Sequence, residues 1–277
     1  MSAKGKVQSP KSKVQSPRPG ELWIWVTLGL CIFGVRLVPA QTAEALFARG
    51  SEAYQAGDYL GAARAFRSAA QLHPAAGTFQ NLGNAEWQLG RTGHAVLAWE
   101  RSLWLDPFHR AAYTNLRFAR KTAQLESPEL AWYEVVSSWL PVNWWAWTAG
   151  LSFWLAVGMV MLPGIFHWRK LAWHQALAAL GLAVFLLSVP AHLGVDTRSH
   201  IGFVLQKNAP LRLTPTENAQ FITRLPAGEP ARLERIRGIY LLIHTSHTTG
   251  WIERDQFELT SASMPSQTKS PQATGKL

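Results

Sequence analysis

AEALFARGSEAYQAGDYLGAARAFRSAAQLHP (43–74) and AGTFQNLGNAEWQLGRTGHAVLAWERSLWLDP (76–107) are one helix–turn–helix unit written twice. In the first, Leu46, Gly50, Ala62, Phe66, Ala69 and Pro74 stand at unit positions 4, 8, 20, 24, 27 and 32; in the second, Phe79, Gly83, Ala95, Trp99, Ser102 and Pro107 take the same positions. A half unit stays in phase, since Phe79-Gln80-Asn81-Leu82 recurs as Tyr113-Thr114-Asn115-Leu116, 34 residues on. Small residues at positions 8 and 20 predict close approach of two antiparallel helices, Gly83 touching Ala95 in the second unit. The ring at 24 is expected to fill the gap to the next helix, and proline at 32 ends the second one.

This period and pattern resemble the tetratricopeptide repeat (TPR). The resemblance implies an all-α solenoid over 41–125, two repeats and a capping helix, with Gly50, Ala62, Pro74, Gly83, Ala95 and Pro107 as structural positions. Such domains present a groove to a partner. Its lining falls at positions 2, 5, 9 and 12 of the first helix: Glu44, Phe47, Ser51 and Tyr54, then Gly77, Gln80, Asn84 and Trp87. Relatives that clamp a carboxyl terminus carry Lys and Asn where Phe47 and Ser51 stand, so that activity does not carry over. Tyr54 and Trp87 have two readings, ligand contact or packing.

The net charge of +10 resembles a nucleic-acid signal until it is located. Residues 1–40 hold Lys4, Lys6, Lys11, Lys13, Arg18 and Arg36 against Glu21, and without them 21 basic and 16 acidic residues leave +5. No Arg/Lys stripe with interleaved aromatics survives, and nucleic acid is not an expected partner. Five of those bases precede an apolar run, Leu22 to Val35, of 14 residues, the length of a signal-peptide core. Val38-Pro39-Ala40 supplies a small-residue cleavage site; an uncleaved anchor is the other reading. The single cysteine, Cys31, lies in this run, which excludes a cysteine enzyme in a cleaved chain.

No Asp, Glu, Lys or Arg occurs between Glu134 and Arg169, nor between Lys170 and Asp196. Trp144 to Leu162 and Leu171 to Val189 each have 19 residues, about 28 Å as helix against a hydrocarbon layer of about 30 Å. Pro163 to Lys170 is the expected turn of an antiparallel transmembrane hairpin over 144–189. Trp139, Trp144, Trp145 and Trp147 crowd one end and Trp168 and Trp173 the other, as indoles do at the lipid headgroups. Arg169 and Lys170 on the turn, with only Glu126, Glu129 and Glu134 before the hairpin, put the turn in the cytoplasm and both flanking domains outside.

Residues 126–143 read as a juxtamembrane linker, and 200–260 as short strands between turn residues: Ile201–Gln206, Ala209–Leu213, Phe221–Leu225, Ala231–Arg235, Ile239–His244 and Gly250–Glu253. Leu211-Arg-Leu-Thr-Pro215, Leu225-Pro-Ala-Gly228, Ile239-Tyr-Leu-Leu-Ile243 and Gly250-Trp251 together resemble the bacterial SH3 (SH3b) domain. That resemblance implies a small all-β barrel with Gly228, Gly250 and Trp251 as structural residues, Trp251 buried at its closure. Ile239-Tyr240 stands where the family usually has Trp-Tyr or Trp-x-x-Val, and the loss of that exposed tryptophan weakens the glycan- or peptide-binding role that the resemblance implies. Residues 261–277, rich in Ser, Thr, Pro and Gln, read as a disordered tail.

His244-x-x-His247 lacks a third ligand nearby, so no metal is expected. His73, His94 and His109 fall at or near the ends of predicted helices; His167, His174 and His192 have no intramembrane carboxylate partner. With no phosphate-cradling loop, nucleophile elbow or carboxylate pair, neither catalysis nor a cofactor is expected. The order leader, TPR, hairpin, SH3b is similar to the membrane proteins of bacterial aerotolerance operons, the BatE type, over residues 22–260. The likeness implies a non-enzymatic inner-membrane scaffold, its soluble domains facing the periplasm or exterior, in complex with von Willebrand A-domain membrane proteins and a MoxR-type ATPase. The alternative is a peptidoglycan-binding adaptor that recruits a cell-wall enzyme.

Overall fold

A computed structural model describes residues 42–167 and 172–261; the expected leader with Cys31, Trp168 to Lys170 of the expected turn, Leu171 at the expected start of the second span, and the expected tail beyond Ser261 lie outside them. The described residues form eight α-helices followed by seven strands. Five helices come first: α1 (Ala43–Gln55), α2 (Tyr59–Leu72), α3 (Ala76–Gln88), α4 (Thr92–Leu105) and α5 (Arg110–Ala123), each packed on the next. Thr42 caps α1 by accepting from the Ala45 N–H at 3.2 Å, and Asp58 caps α2 from Gly61 at 2.8 Å. His73 and Asp106, each followed by proline, are extended, as pre-proline residues prefer, and end α2 and α4. Gly57 and Gly90 share unit position 15, and their φ of +78° and +71° turns the chain between the helices of each pair.

Ala62 and Ala95 are fully buried, but the glycine at position 8 has another role than expected. A Cβ on Gly83 would lie 2.5 Å from the Trp99 indole, and one on Gly50 2.8 Å from the Phe66 ring. Gly83 therefore meets Trp99, not Ala95. The ring at position 24 needs the missing side chain on the facing helix of its own unit.

Next come α6 (Trp132–Ser137), α7 (Val142–Ile165) and α8 (Ala172–Ser199). The last two are long and apolar enough to cross a membrane, at about 36 and 42 Å by helical rise. They pack closely where Gly181 faces Ser152 and Ala156, and Phe153 and Phe185 rings meet at 5.4 Å. Their outer surface exposes Leu151, Trp154, Val160, Leu180, Leu187 and Leu193 among others. Pro163 belongs to α7 rather than to the turn. More consequentially, α8 continues through Pro190 to Ser199, ten residues past the expected end, and His200 alone separates it from the first strand. Nor is 126–143 all linker, because α6 packs on this extension: a Cβ on Gly194 would lie 2.3 Å from the Tyr133 carbonyl oxygen. That contact gives the last turns of α8 a partner and carries the helix beyond its apolar stretch.

The strands β1 (Ile201–Val204), β2 (Ala209–Arg212), β3 (Phe221–Leu225), β4 (Pro230–Arg237), β5 (Tyr240–His244), β6 (Thr249–Glu253) and β7 (Phe257–Leu259) form one antiparallel sheet in the order β3-β2-β6-β5-β4-β1-β7. Sequence reading found six of these and missed β7, three residues after a single 3-10 turn (Arg254–Gln256). Ile239 lies in the β4–β5 turn, exposed. Leu211 near one edge and Phe257 and Leu259 at the other share a single core with Val204, Leu233, Leu241, Ile243 and Ile252. Alternation along β6 puts Gly250 and Ile252 inward, and Trp251 is only half-buried, a correction to its expected place at the closure. Gly250 is needed for Leu211, whose Cγ would stand 2.6 Å from an added Cβ.

A second core joins the helices to the sheet. Ala95, Val96, Leu97 and Trp99 of α4, with Ala112, Leu116 and Ala119 of α5, cluster with Leu125 and with Ile201 and Phe203 of β1. Gly93 lets α4 touch the sheet backbone, since a Cβ there would lie 2.4 Å from the Leu205 carbonyl oxygen. Gly228, at φ +91°, sits against Leu125 and Val96 and so also serves this seam. Arg101 donates to the Leu259 carbonyl at 2.8 Å, to the Thr260 carbonyl at 3.3 Å, and to Glu258 at 2.7 Å.

Candidate functional site

The first helices of successive units, α1 and α3, and the added α5 frame a concavity of about 300 Å³. Tyr54, Asn84, Trp87, Gln88, Trp99, Asn115 and Phe118 line it. Of the residues expected in a groove, Tyr54, Asn84 and Trp87 meet here. Phe47, Ser51 and Gln80 do not: the Phe47 ring packs on Phe66 at 5.5 Å, the Ser51 hydroxyl donates to the Phe47 carbonyl at 3.0 Å, and the Gln80 carbonyl accepts from Trp99 Nε1 at 3.2 Å. Asn115 and Phe118 were missed. Extending the unit positions into the half unit would have found Phe118, which stands at position 9 like Asn84.

Asn84 organises the floor. Its Oδ1 accepts from Trp99 Nε1 at 3.2 Å and from Asn115 Nδ2 at 2.7 Å. The Nδ2 of Asn84 and the Oδ1 of Asn115 then have no hydrogen-bond partner among the described residues, which leaves a donor and an acceptor beside the cavity. Trp87 forms the wall, 5.9 Å from the Trp99 ring and edge-on to Phe118 at 6.0 Å. Trp87 thus packs on its neighbours and also lines the opening. Tyr54 meets Tyr59 edge-on at 5.2 Å and closes the other side. Below the groove Glu86 is fully buried and paired with Arg67 and, at 3.4 Å, with Arg91, which ties α2, α3 and the start of α4 together. Two aromatic walls and one amide pair can hold an extended peptide, rings for its side chains and amides for its backbone.

A larger cavity, about 600 Å³, lies between residues 127–131, α6, the end of α8 and the β4 and β5 strands. Its charged wall is already committed. Glu134, 1 % exposed, receives both ends of the Arg232 guanidinium at 2.8 and 3.1 Å, and Arg232 also donates to the Thr197 carbonyl at 3.0 Å. Burial works to raise the Glu134 pKa, but Arg232 and the Ala131 N–H outweigh it and hold the group below the usual carboxylate range. This pair joins α6, α8 and β4, and Arg198 adds a bond to the Ser137 hydroxyl at 3.1 Å.

His244 and His247 turn to different partners: His244 Nδ1 meets Thr249 Oγ1 at 2.6 Å, and His247 Nε2 meets Glu126 at 3.1 Å. Among the described residues no three His, Cys, Asp or Glu side chains converge to hold a metal. His94, half-buried in the first turns of α4, is held below the usual imidazole pKa by that burial. His109 caps α5, accepting from the Ala112 N–H at 3.4 Å. No protein-family model matches the chain, and no curated protein is significantly similar to it.

Proposed function

We propose that this chain is a membrane-anchored scaffold whose TPR-like helices bind a protein segment in the Tyr54–Asn84–Trp87–Phe118 groove. The observation that carries this reading is the groove itself, with a donor and an acceptor left over at its half-buried amide pair between aromatic walls. The hairpin is read as two membrane spans with the helical repeat and the SH3b-like sheet on the same side of a bacterial inner membrane. Leader and turn charges support the outward orientation. No catalytic constellation or cofactor enters this reading. By resemblance to the BatE type, the partners are von Willebrand A-domain membrane proteins and a MoxR-type ATPase system acting in envelope stress.

Phe118 is mostly exposed, so Phe118→Ser alters the groove and spares the core. Full-length protein and this variant are compared at matched level in mild-detergent co-purifications, with purified peptidoglycan sedimentation alongside. The scaffold reading expects membrane proteins with the native chain, their loss with Phe118→Ser, and little sedimentation. Saturable sedimentation of both forms, with no co-purifying membrane protein, would replace the scaffold by the wall-binding adaptor.

A further inference from the structure

Helix α4 points its carboxyl end at the hairpin. Its start, Gly93, abuts Val204 and Leu205 at the far end of β1. About two turns later Arg101 reaches Leu259 and Thr260, which pair with Gly202 and Ile201 at the near end. Trp104 then lies under the Arg198 guanidinium, 4.9 Å away, in the last turn of α8. Since α8 runs straight into β1, α4 descends along that strand toward the apolar helices. The loop after it, Asp106 to His109, is therefore the part of the helical repeat that faces the hairpin side, and Phe108 in that loop is 67 % exposed.

Arg198 stands nine residues beyond Val189, where the apolar run ends, or about 13 Å along the helix. Phe108 follows Trp104 by four residues, in the turn beyond the end of α4. Near the end of α8, α6 packs on Gly194, and Trp132 at its start and Trp139 just beyond its end are exposed, residues suited to a headgroup layer. Asp106 is drawn into the loop, its Oδ1 accepting from the Phe108 N–H at 3.0 Å, while exposed Arg110 follows the ring and suits lipid phosphates.

We propose that the Asp106–His109 loop inserts Phe108 into the headgroup layer of the bilayer that takes the hairpin, giving the helical repeat its own contact with the lipid surface. This rests on the membrane reading of α7 and α8. The test uses full-length protein in lipid vesicles, in a Cys31→Ser background, with an environment-sensitive fluorophore at one introduced cysteine. Phe108→Cys is the probe, Trp154→Cys on the exposed face of α7 reports the span, and Lys207→Cys beyond the far end of β1 reports solvent. Lipids carry a spin-label quencher either near the headgroup or deep in the chains. The label at 108 is expected to lose emission to the shallow quencher, that at 154 to the deep one, and that at 207 to neither. Quenching at 154 with 108 matching 207 would overturn the proposal and leave the spanning hairpin standing. No quenching at 154 would overturn both.

Discussion

Phe203→Ala tests whether the helical repeat and the sheet are one folding unit. Phe203 belongs to β1, yet its side chain, 1 % exposed, is buried in the cluster formed by α4 and α5. Truncating a buried phenylalanine costs about 3–5 kcal/mol, the lost transfer energy plus the cavity left behind. At 1.4 kcal/mol per tenfold, openings that expose this seam become at least about a hundredfold more frequent. Amide hydrogen exchange followed by mass spectrometry, with the protein in lipid discs, reads such openings segment by segment. Peptides covering Thr92–Leu105 and Arg110–Ala123 are expected to exchange faster together with β1, although the substitution lies 80 or more positions later in the chain. Faster exchange confined to β1, β4 and β7 would refute the shared core and restore two independent modules. The same reasoning means that a fragment cut at residue 125 exposes the face that Ile201 and Phe203 cover.

Other outcomes follow from individual contacts. Gly83→Ala drives a methyl into the Trp99 indole and should cost about 1–3 kcal/mol, seen as a lower Tm. Gly77→Ala, on the same helix with open space around it, should instead leave stability unchanged or raise it by up to about 1 kcal/mol. Glu134 has a lowered pKa in the folded protein, so its stabilising ionisation is present above the ordinary carboxylate range, near about 4.3, and is lost as pH falls through the lowered value. The native Tm should therefore fall more steeply below about pH 4 than that of Glu134→Gln; parallel curves would contradict this. Reporter fusions after residues 125 and 260 should be exported and one after Arg169 cytoplasmic, and an exported signal at Arg169 would invert the topology.

Local pattern carried much of this fold. The two unit spans, their proline stops, the two apolar helices and six strands all have signatures a few residues long, and each begins close to its expected place, although α8 runs ten residues past its expected end. What was hidden is long-range. Glu134 and Arg232 meet across 98 positions, and nothing near either residue announces the other. The α4–β1 seam is similar, although one clue existed: Gly93 stands in the first turn of a helix with no local reason for glycine, a mark of close backbone approach. The half-buried Trp251 was readable, because period-two alternation that puts Gly250 and Ile252 inside must turn position 251 out. For the groove, unit positions led to Tyr54, Asn84 and Trp87. They also named Phe47 and Gln80, which the repeat uses to pack on itself and on Trp99.

Whether the groove takes a protein partner is tested most directly by site-specific photo-crosslinking in living cells. A photoreactive amino acid replaces Phe118 or, as control, Lys207 at the far end of the sheet domain, and adducts are identified by mass spectrometry. The account predicts discrete adducts to membrane proteins from position 118 and none of those from position 207. The same adducts from both positions, or none from 118 while the protein is present and folded, would contradict it.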